Sequence, residues 1–181
     1  GKQPWPFWRP GTSLFYDSDY NPEGGAVKYE RGMLFSSAYG WWLSEVYNAN
    51  PDANNKDGAV FGAQAGLKFP LFGGETRAAV HYYDCTGCQD QNSILFSNAG
   101  NGNTVYRVGT STTNFLAYDY EIFEFAGEMG LTAFNQPLSL WVNYAENMAS
   151  DVDNSTAWAV GAALGRASNP KTWQVAAWYQ E

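Results

Sequence analysis

Residues 58–69 read GAVFGAQAGLKF. They alternate with a period of two, the period of a β-strand. One face carries Ala59, Phe61, Ala63, Ala65, Leu67 and Phe69, and the other carries Val60, Gly62, Gln64, Gly66 and Lys68. One side is oily; the other is small and polar. A soluble core wants bulky apolar side chains on its buried face. A barrel that is apolar outside and polar inside wants the arrangement seen here.

The same alternation recurs along the chain. After the LFGGE turn, Ala78, Val80 and Tyr82 oppose Arg77, Ala79, His81 and Tyr83. In residues 121–133, Phe123, Phe125, Met129 and Leu131 oppose Ile122, Glu124, Ala126 and Glu128. Leu138, Leu140, Val142 and Tyr144 alternate with Ser139, Trp141, Asn143 and Ala145, and Trp158, Val160, Ala162 and Leu164 with Ala157, Ala159 and Gly161. Connections near Glu30, Pro70, Asn135 and Ala167 are short. Those at 9–24, 48–58, 85–114 and 149–154 are mostly longer and polar. Short and long alternate in chain order, as in an up-and-down barrel with tight turns at one rim and loops at the other. Aromatic residues gather near strand ends, among them Tyr47, Phe69, Phe72, Phe134, Tyr144, Trp158 and Tyr179, where interfacial girdles sit. The expected fold is all-β: one domain over residues 1–181, an antiparallel up-and-down transmembrane β-barrel of about nine strands. That count includes the Pro-rich GKQPWPFWR. An odd count makes the barrel partial, since bacterial single-chain barrels close with an even number.

Composition narrows the function classes. A chain of 181 residues supports one sizeable core. A net charge of −8 disfavours nucleic acid as a partner. Aromatic residues make up 17% against 15% charged, yet the mean hydropathy is −0.39. A wet chain rich in amphipathic rings fits a transmembrane β-barrel or a soluble carbohydrate-binding β-protein with aromatic platforms. No internal repeat of solenoid period is visible.

Both cysteines lie in DCTGCQDQ, at Cys85 and Cys88. One C-x-x-C is half of a zinc site, and the single histidine, His81, is four residues away. A short disulfide on the external side is expected in preference to free thiols, because exported proteins oxidise.

The segment WPFWRPGTSLFYDSDYNPEGGAVKYE, residues 5–30, adds a further line. It resembles a porin-like family of Gram-negative outer membranes. That family carries a Pro-Phe-Trp strand, an Asp-Ser-Asp-x-Asn-Pro-Glu-Gly loop and then a short alternating strand. Here these are Pro6, Phe7 and Trp8, then Asp17 to Gly24, then Ala26 to Tyr29. GAQAGLKF, VHYYD, PLSLWVNYAEN and the final AVGAALGRASNPKTWQVAAWYQE are similar in order. The resemblance covers essentially the whole chain, and its loop string is the most specific part. It implies a channel in the bacterial outer membrane, with lipid around it and small solutes or ions within, and it names no substrate. Family members are longer at both ends. This implies a piece of a larger barrel, whose end strands are covered by further sequence or by neighbouring copies in a homo-oligomer.

The loop also holds the candidate metal ligands. Counted from Asp17 as a helix–loop–helix calcium loop, Pro22 falls where glycine is needed and Lys28 where glutamate is needed. A looser calcium site from Asp17, Asp19 and Glu23 stays open beside the plainer Asx/Pro/Gly turn. No other cofactor is implied. Lys68, Arg77, His81, Glu124 and Glu128 all fall on the small, polar face, so they are the candidate pore-lining residues. Opposed charges there would order water and select solutes; the alternative is a set of ion pairs that merely hold the wall. Glutamates can do acid–base work, but every such barrel needs polar inward residues. An outer-membrane enzyme is therefore the weaker alternative, and the chain is read as a channel and not an enzyme.

Overall fold

The computed structural model describes residues 5–11, 14, 22–44, 57–91 and 102–181. Its framework is one antiparallel sheet. Strands β1 (Glu23–Arg31), β2 (Leu34–Ser44), β3 (Gly58–Leu71) and β4 (Gly74–Thr86) follow one another. Then come β5 (Val105–Tyr106) and β6 (Phe115–Leu116), which form a small ribbon of their own. β7 (Glu121–Ala133), β8 (Gln136–Asn147), β9 (Thr156–Gly165) and β10 (Gln174–Gln180) complete the large sheet, in the order β1-β2-β3-β4-β7-β8-β9-β10. No helix is present among the described residues. The six inner strands of the large sheet, β2, β3, β4, β7, β8 and β9, are 10–14 residues long, enough for the 9–11 residues that a tilted strand needs to cross a bilayer.

Three two-residue turns set the registers. Phe72 and Gly73 both have positive φ, as do Phe134 and Asn135; this is the type I′ pattern that suits the twist of a hairpin. At Gly32 and Met33 only the glycine has positive φ, the type II′ pattern. These turns place Gln64 opposite His81, and Glu128 opposite Trp141.

The expected strand count changes. The described part of the Pro-rich segment, Trp5–Pro10, is not a strand and lies off the sheet, because its prolines lack the N–H that a ladder needs; residues 1–4 lie outside the described residues. The large sheet thus has eight strands rather than nine. Among the described residues the sheet does not close: β1 and β10 are its edges, paired in the ladder with β2 and β9, so the end strands lack a partner within it, as expected of a partial barrel. The strict alternation of short and long connections also ends early. Residues 148–155 and 166–173 are equally long.

The two faces of the sheet differ in kind. One is covered by Trp5–Gly11, and we call it the covered face. There Tyr39, Trp41, Tyr83 and Ile122 pack with Phe7, Cys85, Cys88 and Leu116. Gln64, His81, Glu124 and Asn143 are buried on the same face. The other, bare face exposes Phe61 (53%), Leu67, Val80, Phe125 and Val142 (37%). The alternation read from the sequence therefore separates these sets onto opposite faces. Large apolar side chains point to the surroundings, and the buried polar ones lie under the covering segment.

Candidate functional site

The centre of the covered face is a hydrogen-bonded chain across strands β2, β4, β7 and β8. Tyr39 Oη lies 2.8 Å from His81 Nε2, and His81 Nδ1 lies 2.9 Å from Glu124 Oε2. Asn143 Nδ2 donates to Glu124 Oε1 at 2.8 Å. His81, Glu124 and Asn143 are 2%, 6% and 0% exposed. A carboxylate against Nδ1 favours the tautomer with the proton there, which leaves Nε2 to accept from the Tyr39 hydroxyl. The glutamate is thus satisfied on both oxygens, as a buried carboxylate must be.

Glycines make room for the rings of this wall. A Cβ on Gly62 would overlap the Tyr39 ring, and one on Gly161 would overlap the Trp141 indole. Each ring reaches across the glycine of a neighbouring strand.

The covering segment crosses this face as a strap. Trp5 O accepts from Lys28 of β1 at 3.3 Å, and the Trp5 ring meets Trp41 edge-on at 5.2 Å. Phe7 sits 4.5 Å from the His81 ring and 5.5 Å from Tyr39. Gln64 holds Trp8 twice: its Nε2 donates to Trp8 O at 2.7 Å, and its Oε1 accepts from Trp8 N at 2.8 Å. Gly11 packs against Trp141 of β8 so closely that a Cβ would overlap the indole. Fully extended, the run from Trp5 to Gly11 reaches about 20 Å. The five strand spacings from β1 to β8 make about 24 Å along the sheet. With the reach of the Lys28 and Trp141 side chains, the strap is long enough to span from β1 to β8.

The five predicted lining residues all lie on this face but form two separate groups. His81 and Glu124 belong to the buried chain. Lys68 pairs with Glu30 of β1, and Arg77 pairs with Glu75 two residues away on its own strand. Glu128 accepts a hydrogen bond from the Ser139 hydroxyl. The charges are partnered along the wall rather than set against each other across an open space. Cys85 and Cys88 are bonded to each other. They sit buried at the end of β4, in the aromatic cluster rather than in a polar loop. Of the candidate calcium ligands, Asp17 and Asp19 lie outside the described residues, and Glu23 is exposed at the start of β1. Among the described residues no cluster of three or more His, Cys, Asp or Glu could hold a metal.

Sequence reasoning missed Tyr39 as the partner of His81, and the strap's grip on Gln64. The β3–β4 and β7–β8 pairings could have been foreseen, because a two-residue turn in each fixes which residues face each other. Compared with known protein families, with curated proteins and with solved structures, the chain matches none.

Proposed function

We propose that this chain forms the wall of a porin-like channel in a bacterial outer membrane, through which small solutes or ions diffuse passively. The observation that carries this is the inverted distribution of side chains: buried Gln64, His81, Glu124 and Asn143 on one face, exposed Phe61, Leu67, Val80 and Val142 on the other. In water so large an apolar face would have to be covered; in lipid it is the required surface.

The order of the bare face supports the same view. On β7, β8 and β9, the rows Gly127–Val142–Val160, Met129–Leu140–Ala162 and Leu131–Leu138–Leu164 carry no charge. The next row towards the long loops is aromatic, with Phe125, Tyr144 and Trp158. Beyond it come Asp84, Glu121 and Glu146. Aliphatic, aromatic, then charged is the sequence met on leaving a bilayer core. At the opposite rim, Phe72 and Phe134 hold positive φ and are 72% and 90% exposed as residues. A bulky residue in that conformation is costly, and an interfacial anchor gives the ring a use.

In a membrane the edges of β1 and β10 would be covered, by neighbouring copies or by more of the same polypeptide, since bare N–H and C=O groups cannot face hydrocarbon. The buried Tyr39–His81–Glu124 chain has the group types of an acid–base relay. Phe7 roofs it, so its role here is to hold the wall. Reconstitution into planar lipid bilayers tests the proposal. Stepwise, weakly cation-preferring conductance is expected, because the chain carries a net charge of −8. A protein that washes off membranes without detergent and gives no steps would instead be a soluble binding module.

A further inference from the structure

The strap has properties that wall residues do not. It lies over the buried polar chain, and it reaches from Lys28 on β1 to Trp141 on β8. Its main chain is gripped at Trp8 by a wall amide that reads both the N–H and the C=O, as a neighbouring strand would. An eight-stranded barrel has an interior just filled by its own side chains. Here Tyr39, Trp41, Tyr83 and Trp141 already occupy the covered face, and a length of backbone is accommodated on top of them. The open sheet leaves room on this face beyond its own side chains, and the strap takes up part of that room.

Building on the channel function above, we propose that Trp5–Gly11 is the constriction that sets which solutes pass, with Gln64 as its positioning residue. Phe7 and Trp8 narrow the path by bulk. Gln64 fixes where they stand, and the contact of Phe7 with His81 keys the strap to the buried chain. Arg9, whose guanidinium lies 5.6 Å from the Trp5 ring centroid, puts a cation on the strap.

The test compares the full chain with Gln64→Leu, Gln64→Glu and Phe7→Ala in planar bilayers, reading single-channel conductance and the largest neutral sugar oligomer that passes. Gln64→Leu removes both bonds to Trp8. Gln64→Glu keeps an acceptor for Trp8 N–H but loses the donor to Trp8 O, so it should fall between Leu and the parent. Phe7→Ala leaves every wall residue intact, which keeps the test usable if the Gln64→Leu variant does not fold. Conductance should rise about twofold or more in Gln64→Leu and Phe7→Ala, with a larger size limit, as a wider aqueous path requires. Conductance and size limit unchanged in a conducting, folded Phe7→Ala variant would overturn the constriction and leave the channel standing. Silence from the parent and from every folded variant would overturn both.

Discussion

Replacing Val142 by arginine separates a lipid-facing wall from a soluble surface. Val142 lies on the bare face near the middle of β8, opposite Gly127 on β7 and Val160 on β9. Leu140 and Tyr144 flank it on the same face, and both are exposed. The nearest loop-side end of the strand, Asn147, is five residues away, about 17 Å along the chain. An arginine side chain therefore falls well short of the rim. At mid-membrane such a charge costs about 2–4 kcal/mol, roughly a thirtyfold to thousandfold loss in the folding equilibrium. On a soluble surface the same change would be nearly neutral, within about 0.5 kcal/mol. Thr156→Arg, at the loop-side start of β9, is the matched control, expected to cost about 0–1 kcal/mol. The assay is denaturant unfolding in phospholipid vesicles, followed by the protein's tryptophan fluorescence. Equal stability of the parent and Val142→Arg in vesicles would refute the membrane assignment of this face.

Four further outcomes are expected. Glu124→Ala leaves His81 Nδ1 and Asn143 Nδ2 buried without their acceptor; unfolding should show a loss of about 1–3 kcal/mol for each unsatisfied group. Asn143 is itself fully buried and bonded to Glu124, so Asn143→Arg should also be costly in the same measurement, contrary to what a simple lumen position would suggest. Gly62→Val should drive the Tyr39 ring off His81 at a cost of about 1–3 kcal/mol, visible as lost near-ultraviolet circular dichroism with the strand signal retained. Tyr120, just before β7, has its hydroxyl pushed up to about 12, first by burial and then by the neighbouring Asp119. A phenol whose folded pKa is raised contributes its full share of stability below its ordinary value near 10. That share should drain away as pH climbs from about 10 to about 12. Stability against pH should fall less steeply there in Tyr120→Phe.

Much of the sheet was legible because its signal is local. Strand parity alone put Phe61 and Gln64 on opposite faces, and the turn at Phe72–Gly73 set the β3–β4 register. The grouping of Tyr39 with His81 was hidden. Those residues lie on non-adjacent strands, and their meeting depends on a ring reaching across Gly62. The strap misled for a related reason: Trp5, Phe7 and Trp8 have strand-forming side chains, but Pro6 and Pro10 deny the ladder its donors. The open sheet was expected, but from a count of nine strands; the sheet is open with eight, because closure depends on how the first and last strands meet and not on local pattern.

The order of strands also bears on how such a sheet could assemble. Every neighbouring pair is a direct hairpin or short connection except β2–β3 and β4–β7, and the second gap is the larger, with 34 residues between Thr86 and Glu121. Joining ends across that length costs about 2.5 kcal/mol more in chain entropy than a two-residue turn. The loop's base counters this penalty in steps. Cys85 N donates to Tyr120 O, Asp90 N to Leu116 O and Leu116 N to Gln91 O, and Cys88 is tied back to Cys85. Each of these contacts shortens the span left to close. The rate at which β7 finds β4 should then depend on whether this base zips first. A refolding time course would show it as a phase that slows when the Cys85–Cys88 link is reduced, while the β7–β8 hairpin forms at its usual speed.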